Sequence, residues 1–209
     1  IEWCFPNHHR TSTMLPSDYR MVENEDGSAT VWIGETERSM GLRGVVGVTL
    51  HPGRSYIEAD YRISNPGTTT KTFLFWANVA ITANKDFRTF WPPSQEIGVF
   101  HNNSSFTEWP ISYEVYQGTD YTKGVDLTWW KNHPNPVSFF MWEGKEGFIG
   151  GYDYGQNAGT VHVGDPNKNP TSKLWQFGPG LQGQNARRKL TDDGKAYVEL
   201  MTGAFSNNQ

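Results

Sequence analysis

Two imidazoles, an amide and a guanidinium crowd into Pro6-Asn7-His8-His9-Arg10, directly behind the apolar residues Ile1, Trp3 and Phe5. A proline that breaks an apolar run and releases polar groups has the look of a site built at the mouth of a strand. One histidine there can hydrogen-bond or protonate a sugar oxygen, while Arg10 holds a hydroxyl or a carboxylate. Neighbours on a regular strand face opposite ways, so His8 and His9 share a site only if Pro6-Asn7 turns the chain. The competing role is structural, a packed histidine with Arg10 tying down the Thr11–Asp18 loop.

Glu199 is the leading carboxylate. It lies in Ala196-Tyr197-Val198-Glu199-Leu200-Met201, where alternation puts it on one face with Tyr197 and Met201. A carboxylate set among apolar groups can act as acid or base, and the alternative is a cross-strand ion pair with Arg187 or Arg188. Asp120, Asp126 and Asp153 are candidates for a second carboxylate, which glycoside hydrolysis needs at roughly 5–10 Å from the first. Each also reads as an ordinary turn residue. Asn78 interrupts the most apolar run of the chain, Thr72 to Asn84, so it either braces a loop or faces a ligand cavity. His101 stays open between the two roles, and His162, within Thr160-Val161-His162-Val163, reads as structural. Trp175 and Gln176 before the flexible Gly178-Pro179-Gly180 combine an indole with an amide, a useful mixture for sugar binding. Trp129 and Trp130 must part to opposite faces if their segment is a strand.

The elements that position these groups are strands. Met21–Glu23 and Ala29–Gly34 flank a tight turn at Asn24-Glu25-Asp26-Gly27. Gly44–Leu50, Ser55–Ile63 and Thr72–Asn84 follow. Further strands are expected at Ile111–Tyr116, Leu127–Trp130, Val137–Trp142, Phe148–Tyr152, Gly159–Val163, Leu174–Phe177 and Tyr197–Phe205. Only Gln184–Leu190 suits a helical turn or two. Many strands with no sequence repeat and no internal linker give an all-β chain, expected as a single domain over residues 1–209.

Composition narrows the partners. Nine Trp, nine Tyr and twelve Phe make 14% of the 209 residues aromatic, against 19% charged. Such residues fill β cores, and some stack on the C–H faces of pyranose rings. A net charge of −4 without a basic tract argues against nucleic acid. The single Cys4 rules out an internal disulfide and a Cys-rich zinc site. No apolar run approaches the roughly 18–20 residues of a membrane helix, so no membrane partner is expected. No metal or other cofactor is expected either: the histidines lack HxxxH spacing, and Asp165-Pro166-Asn167-Lys168-Asn169 fits no calcium loop. Ile1 opens directly on strand-like residues without a methionine, which reads as a piece of a longer protein.

The blocks IEWCFPNHHRTSTMLPSDYRMVENEDGSATVWIGE, FLFWANVAITAN, GVDLTWWKN, GGYDYGQNAGTVHVGD and GQNARRKLTDDGKAYVELMTGAFSNNQ resemble the DUF5107 family over essentially the whole chain. That bacterial family is similar to the galactose mutarotase-like proteins. The resemblance implies a large antiparallel β-sandwich with a concave sugar-binding face, truncated here at both ends. It also implies tetratricopeptide repeats outside this chain as a route to protein partners, with the compartment open between cytoplasm and periplasm. Aldose epimerases of the wider superfamily use a histidine acid on a central strand and a glutamate base on a late one. Glu199 is similar in placement to that glutamate, while the histidine position offers Asn78, whose amide cannot donate a proton as an acid.

The combined expectation is a carbohydrate-active domain. Its cleft is lined by His8, His9, Arg10, Asn78, His101, Trp175, Gln182 and Glu199, with Glu199, His8 and His9 as the groups for acid–base chemistry at a glycosidic or anomeric centre. The alternative is a non-catalytic sugar-binding or scaffold module.

Overall fold

The computed structural model describes residues 2–4, 15–38, 40–101, 105–142 and 145–204. The chain divides into two compact units, Trp3–Leu74 and Ile1–Glu2 with Phe75–Gln209. After β1 (Glu2–Cys4), the first unit is a four-stranded antiparallel meander of β2 (Asp18–Glu23), β3 (Ala29–Thr36), β4 (Arg43–Leu50) and β5 (Ile57–Ser64). The β2–β3 turn is tight because Gly27 takes φ +80° and Asp26 accepts the Ser28 N–H at 2.9 Å. Alternation sorts this sheet into two faces. Tyr19, Met21, Val31, Ile33, Val46, Val48, Tyr61 and Ile63 share one, while Thr30, Trp32, Thr49, Glu58, Asp60 and Arg62 share the other.

The second unit runs through β6 (Leu74–Thr82), β7 (Phe87–Phe90), β8 (Ile97–Phe100) and β9 (Phe106–Glu108). Two short ladders follow, pairing β10 (Ile111–Ser112) with β13 (Val125–Asp126) and β11 (Val115–Tyr116) with β12 (Thr119–Asp120). Then come a 3-10 turn at Trp130–Asn132, β14 (Val137–Met141), β15 (Phe148–Asp153), β16 (Ala158–Val163), β17 (Thr171–Gln176), helix α1 (Leu181–Leu190) and β18 (Tyr197–Gly203). The main sheet of this unit runs β6-β18-β17-β14-β8-β9, and a three-stranded sheet runs β16-β15-β7.

One face of the main sheet supplies Phe100, Val137, Phe139, Met141, Leu174, Val198 and Leu200, all buried in one apolar cluster with Phe87 and Ile149 of the smaller sheet. This all-β antiparallel architecture is the one expected from the sequence. The other face of the main sheet carries the polar groups.

Two segments depart from the expected strands. Ile111–Tyr116 splits into β10 and β11. Leu127–Trp130 is not a strand: Asp126 accepts the Thr128 N–H at 2.9 Å, and this side-chain hook curls the backbone into the 3-10 turn. The helix begins at Leu181, three residues before the expected start. Its first turn packs closely because Gly183 lies against the Gly178 carbonyl, where an added Cβ would stand at 1.8 Å.

Candidate functional site

Register sets out the polar face of the main sheet row by row. Ala80 of β6, Glu199 of β18, Trp175 of β17 and Ser138 of β14 lie directly opposite one another. The next row is Asn78, Met201, Lys173 and Phe140. Partners on adjacent antiparallel strands point the same way, with Cβ atoms about 5 Å apart. Ala80 is exposed, Glu199 and Trp175 are half-buried, and Met201, Lys173 and Phe140 are buried. Ser138 is buried and Asn78 half-buried, so the face opens at the Ala80, Glu199 and Trp175 end of the row and closes toward β14.

Asn78 Nδ2 donates to Glu199 Oε2 at 3.3 Å. The other end of the amide, Asn78 Oδ1, is buried with no hydrogen-bond partner, as is the indole Nε1 of Trp76 two residues back on the same strand face. Buried polar atoms left unpaired are costly, and Asn78 Oδ1 is an acceptor next to the half-exposed carboxylate that a ligand hydroxyl can pair with, whereas the Trp76 indole lies over Gly203, two rows from Glu199 along the sheet. Tyr197, on Glu199's own face, has its phenol pushed upward by partial burial and then by the negative charge of Glu199. Trp175 packs its ring near Phe177 and Tyr197, at 5.5 and 6.0 Å between centroids, which holds the indole in place at the opening.

His101 lies in line with the same row, one residue beyond β8. Its backbone N–H donates to the Tyr116 hydroxyl at 2.9 Å, and its Nδ1 is hydrogen-bonded to Ser138 Oγ. Three strand spacings separate the Glu199 and His101 positions, about 14 Å. Lys173 went unnamed at the sequence level. Its ammonium sits 5.0 Å from the Phe140 ring centroid and 5.8 Å from that of Trp76. The signal was present, since Lys173 and Trp175 share parity in Thr171-Ser172-Lys173-Leu174-Trp175.

The family described as "Domain of unknown function (DUF5107)" matches residues 1–209. The chain belongs to that family. A crystal structure of a TPR-domain containing protein from Parabacteroides distasonis superposes with a TM-score of 0.77 at 21% identity, over 99% of this chain and 33% of that one. A protein from Klebsiella pneumoniae with the provisional name aldose 1-epimerase superposes with a TM-score of 0.52 at 7% identity, over 91% of this chain and 54% of that one. At these identities the likeness is one of fold, and the DUF5107 chain spans about a third and about half of the two proteins. The DUF5107 membership expected from the sequence is borne out.

Other candidates in this DUF5107 chain resolve into structural roles. Asp120 accepts from Thr122, Asp126 from Thr128 and Arg88, and Asp153 from Asn84 and from the Gly155 and Gln156 amides, so each stabilises a local turn or loop. His162 bridges the Leu200 carbonyl and the Thr202 hydroxyl, both at 3.2 Å, and burial pushes its pKa down. Trp130 is buried and donates to the Phe177 carbonyl at 3.0 Å, while Trp129 is half-buried near Lys131 and Arg88. Gln182 stands exposed in the first turn of α1, on a different element from the sheet face. His8, His9 and Arg10 lie outside the described residues. Among the described residues no group of three His, Cys, Asp or Glu is placed to hold a metal ion.

Proposed function

We propose that this DUF5107 chain binds a saccharide on the open face of β6, β18 and β17. Trp175 provides the stacking surface, and Glu199 with Asn78 takes the hydroxyls. The observation that carries this reading is the Asn78–Glu199 pair, hydrogen-bonded at 3.3 Å with the buried Asn78 Oδ1 left unpaired. A carboxylate and an amide offer the mixed donors and acceptors that ring hydroxyls need, and an indole matches the apolar ring face.

Acid–base chemistry at an anomeric or glycosidic centre is the second reading. It is favoured by the half-exposed Glu199 and by the fold likeness to a protein named as an aldose 1-epimerase. His101 does not complete it: a spacing of about 14 Å exceeds the roughly 5–10 Å over which two groups flank one glycosidic bond. Binding is therefore the primary function, with any catalysis resting on Glu199 and on His8 or His9. The likeness to a TPR-domain containing protein supports a module that presents glycan to partners gathered by repeats elsewhere in a longer protein.

The test is a glycan-array and glycosidase-substrate screen of the wild type beside Glu199→Gln. Binding that survives in Glu199→Gln, with turnover lost, makes Glu199 catalytic. Weakened binding in Glu199→Gln with no turnover by either protein makes the domain a lectin-like module, while equal binding by both without turnover, or no binding by the wild type, contradicts the proposal.

A further inference from the structure

The four-stranded sheet of the first unit carries a cavity of about 400 Å³ whose floor is Trp32. Register places Trp32 of β3 opposite Gly47 of β4, which in turn faces Asp60 of β5. The indole lies down on the glycine. A Cβ built on Gly47 would meet three atoms of the six-membered ring at 2.7–2.9 Å, so any larger residue would lift the indole off the sheet. Around this platform stand Asn24, Thr30, Thr49, His51, Glu58 and Asp60. They are held in place by one another. Asn24 Nδ2 donates to Thr30 Oγ1 at 3.0 Å, the Thr30 and Thr49 hydroxyls share a hydrogen bond of 2.8 Å, and His51 Nε2 meets Glu58 Oε2 at 2.9 Å.

We propose that this cavity is a second saccharide site, one that takes a neutral pyranose ring flat on Trp32 with its hydroxyls bonded to the Thr30, Glu58 and Asp60 rim. Volume and make-up fit: small-ligand pockets run from roughly 300 to 1,000 Å³ and combine an apolar wall with a few oriented polar groups. A flat aromatic face inside a ring of donors and acceptors mirrors a sugar, apolar across its C–H face and polar around its edge.

Two other ligand classes fit less well. Three metal-ligating side chains are not gathered here among the described residues. Arg62 pairs with Asp60 at 3.0 Å and its guanidinium sits 5.4 Å from the Trp32 ring centroid, so a ligand on the indole must displace it. The Arg62 side chain is 72% exposed and an exposed ion pair of this kind is worth little, so a pyranose displaces it cheaply, whereas an organic cation would also have to replace its charge beside Asp60. Glu58 likewise has His51, which also stands 3.9 Å from Asp26; Glu25 and Asp26 complete an acidic rim, which is why a cationic counter-probe belongs in the test. The inference is independent of the Glu199 face, which belongs to the other compact unit.

The experiment titrates the full chain with methyl glycosides and short oligosaccharides of glucose, mannose and galactose, and separately with choline as the cationic counter-probe. Binding is followed by calorimetry in wild type, Trp32→Ala, Asp60→Asn and Glu199→Gln. An indole over a cross-strand glycine also stabilises its strand pair, so the rim variant Asp60→Asn provides a change that spares the packing. The expected result is saturable sugar binding that weakens about tenfold or more in Trp32→Ala and about threefold or more in Asp60→Asn, with an unchanged unfolding midpoint for the latter. The same binding persists in Glu199→Gln, which separates it from the first site. Sugar binding equal in wild type, Trp32→Ala and Asp60→Asn overturns the proposal. So does saturation by choline with no sugar response, or no saturable binding of any sugar.

Discussion

Gln176 and His133 show how differently two buried polar side chains can be treated. Gln176 is fully buried at the end of β17, and neither its amide nitrogen nor its amide oxygen has a hydrogen-bond partner. An unpaired buried amide costs more than an apolar group of the same shape, so Gln176→Met is expected to raise stability by about 1–2 kcal/mol in urea denaturation. A loss of stability would mean that the amide is satisfied by bound water. His133 is also fully buried but fully used. Its Nε2 lies 2.7 Å from the Leu127 carbonyl, which can only accept, so the ring proton is on Nε2 and Nδ1 takes the Tyr121 hydroxyl at 3.1 Å. Burial pushes the His133 pKa down to about 4 and the Tyr121 phenol up to about 12.

The neutral imidazole is thus favoured in the folded protein. Because the folded pKa lies below the unfolded value near 6.5, the stability contribution is complete above about pH 6.5 and fades as pH falls toward about 4. The loss is on the order of 3 kcal/mol. In NMR the His133 ring signals should not titrate between about pH 7 and about pH 5.5, and a midpoint near 6.5 would contradict the burial argument. At this scale the shared face of Tyr197, Glu199 and Met201 was legible because period-two alternation assigns faces directly. The pairing of Asn78 with Glu199, 121 positions apart, was not, since it depends on which strands are neighbours.

Strands were the readable elements, for the same reason. The segments β2 to β6 and β14 to β18 fall close to the expected spans, because apolar alternation bounded by Gly, Pro, Asn and Asp is a local signal. The misreading at Leu127–Trp130 came from a side-chain hook: Thr128 tied to Asp126 overrides the β preference of Leu, Thr and Trp. The β17–α1 connection makes a further prediction. A Cβ on Gly178 would stand 1.3 Å from the His133 carbonyl oxygen, backbone that cannot step aside cheaply. Gly178→Ala should therefore cost about 3 kcal/mol or more in chemical denaturation and disturb the environment of His133. A neutral effect would show that this connection is looser than the close approach implies.

Across the whole molecule, the sequence carried the fold class and the family, and the structure supplied the rows of residues. An all-β chain of antiparallel sheets is what dense aromatics, many turn residues and period-two alternation imply together. Which aromatics are core and which stay partly open could not be read from composition, because both use the same residues. Trp76 is almost fully buried, Trp130 is core, and Trp175 and Trp32 are partly open beside polar groups.

The central claim is that the Glu199 face binds sugar, and the most direct measurement is calorimetric titration of wild type and Trp175→Ala with the best glycan from the array. The account expects saturable binding by the wild type and a loss of about tenfold or more in Trp175→Ala at an unchanged unfolding midpoint. Undiminished binding in Trp175→Ala, or a wild type that binds no glycan, would contradict it.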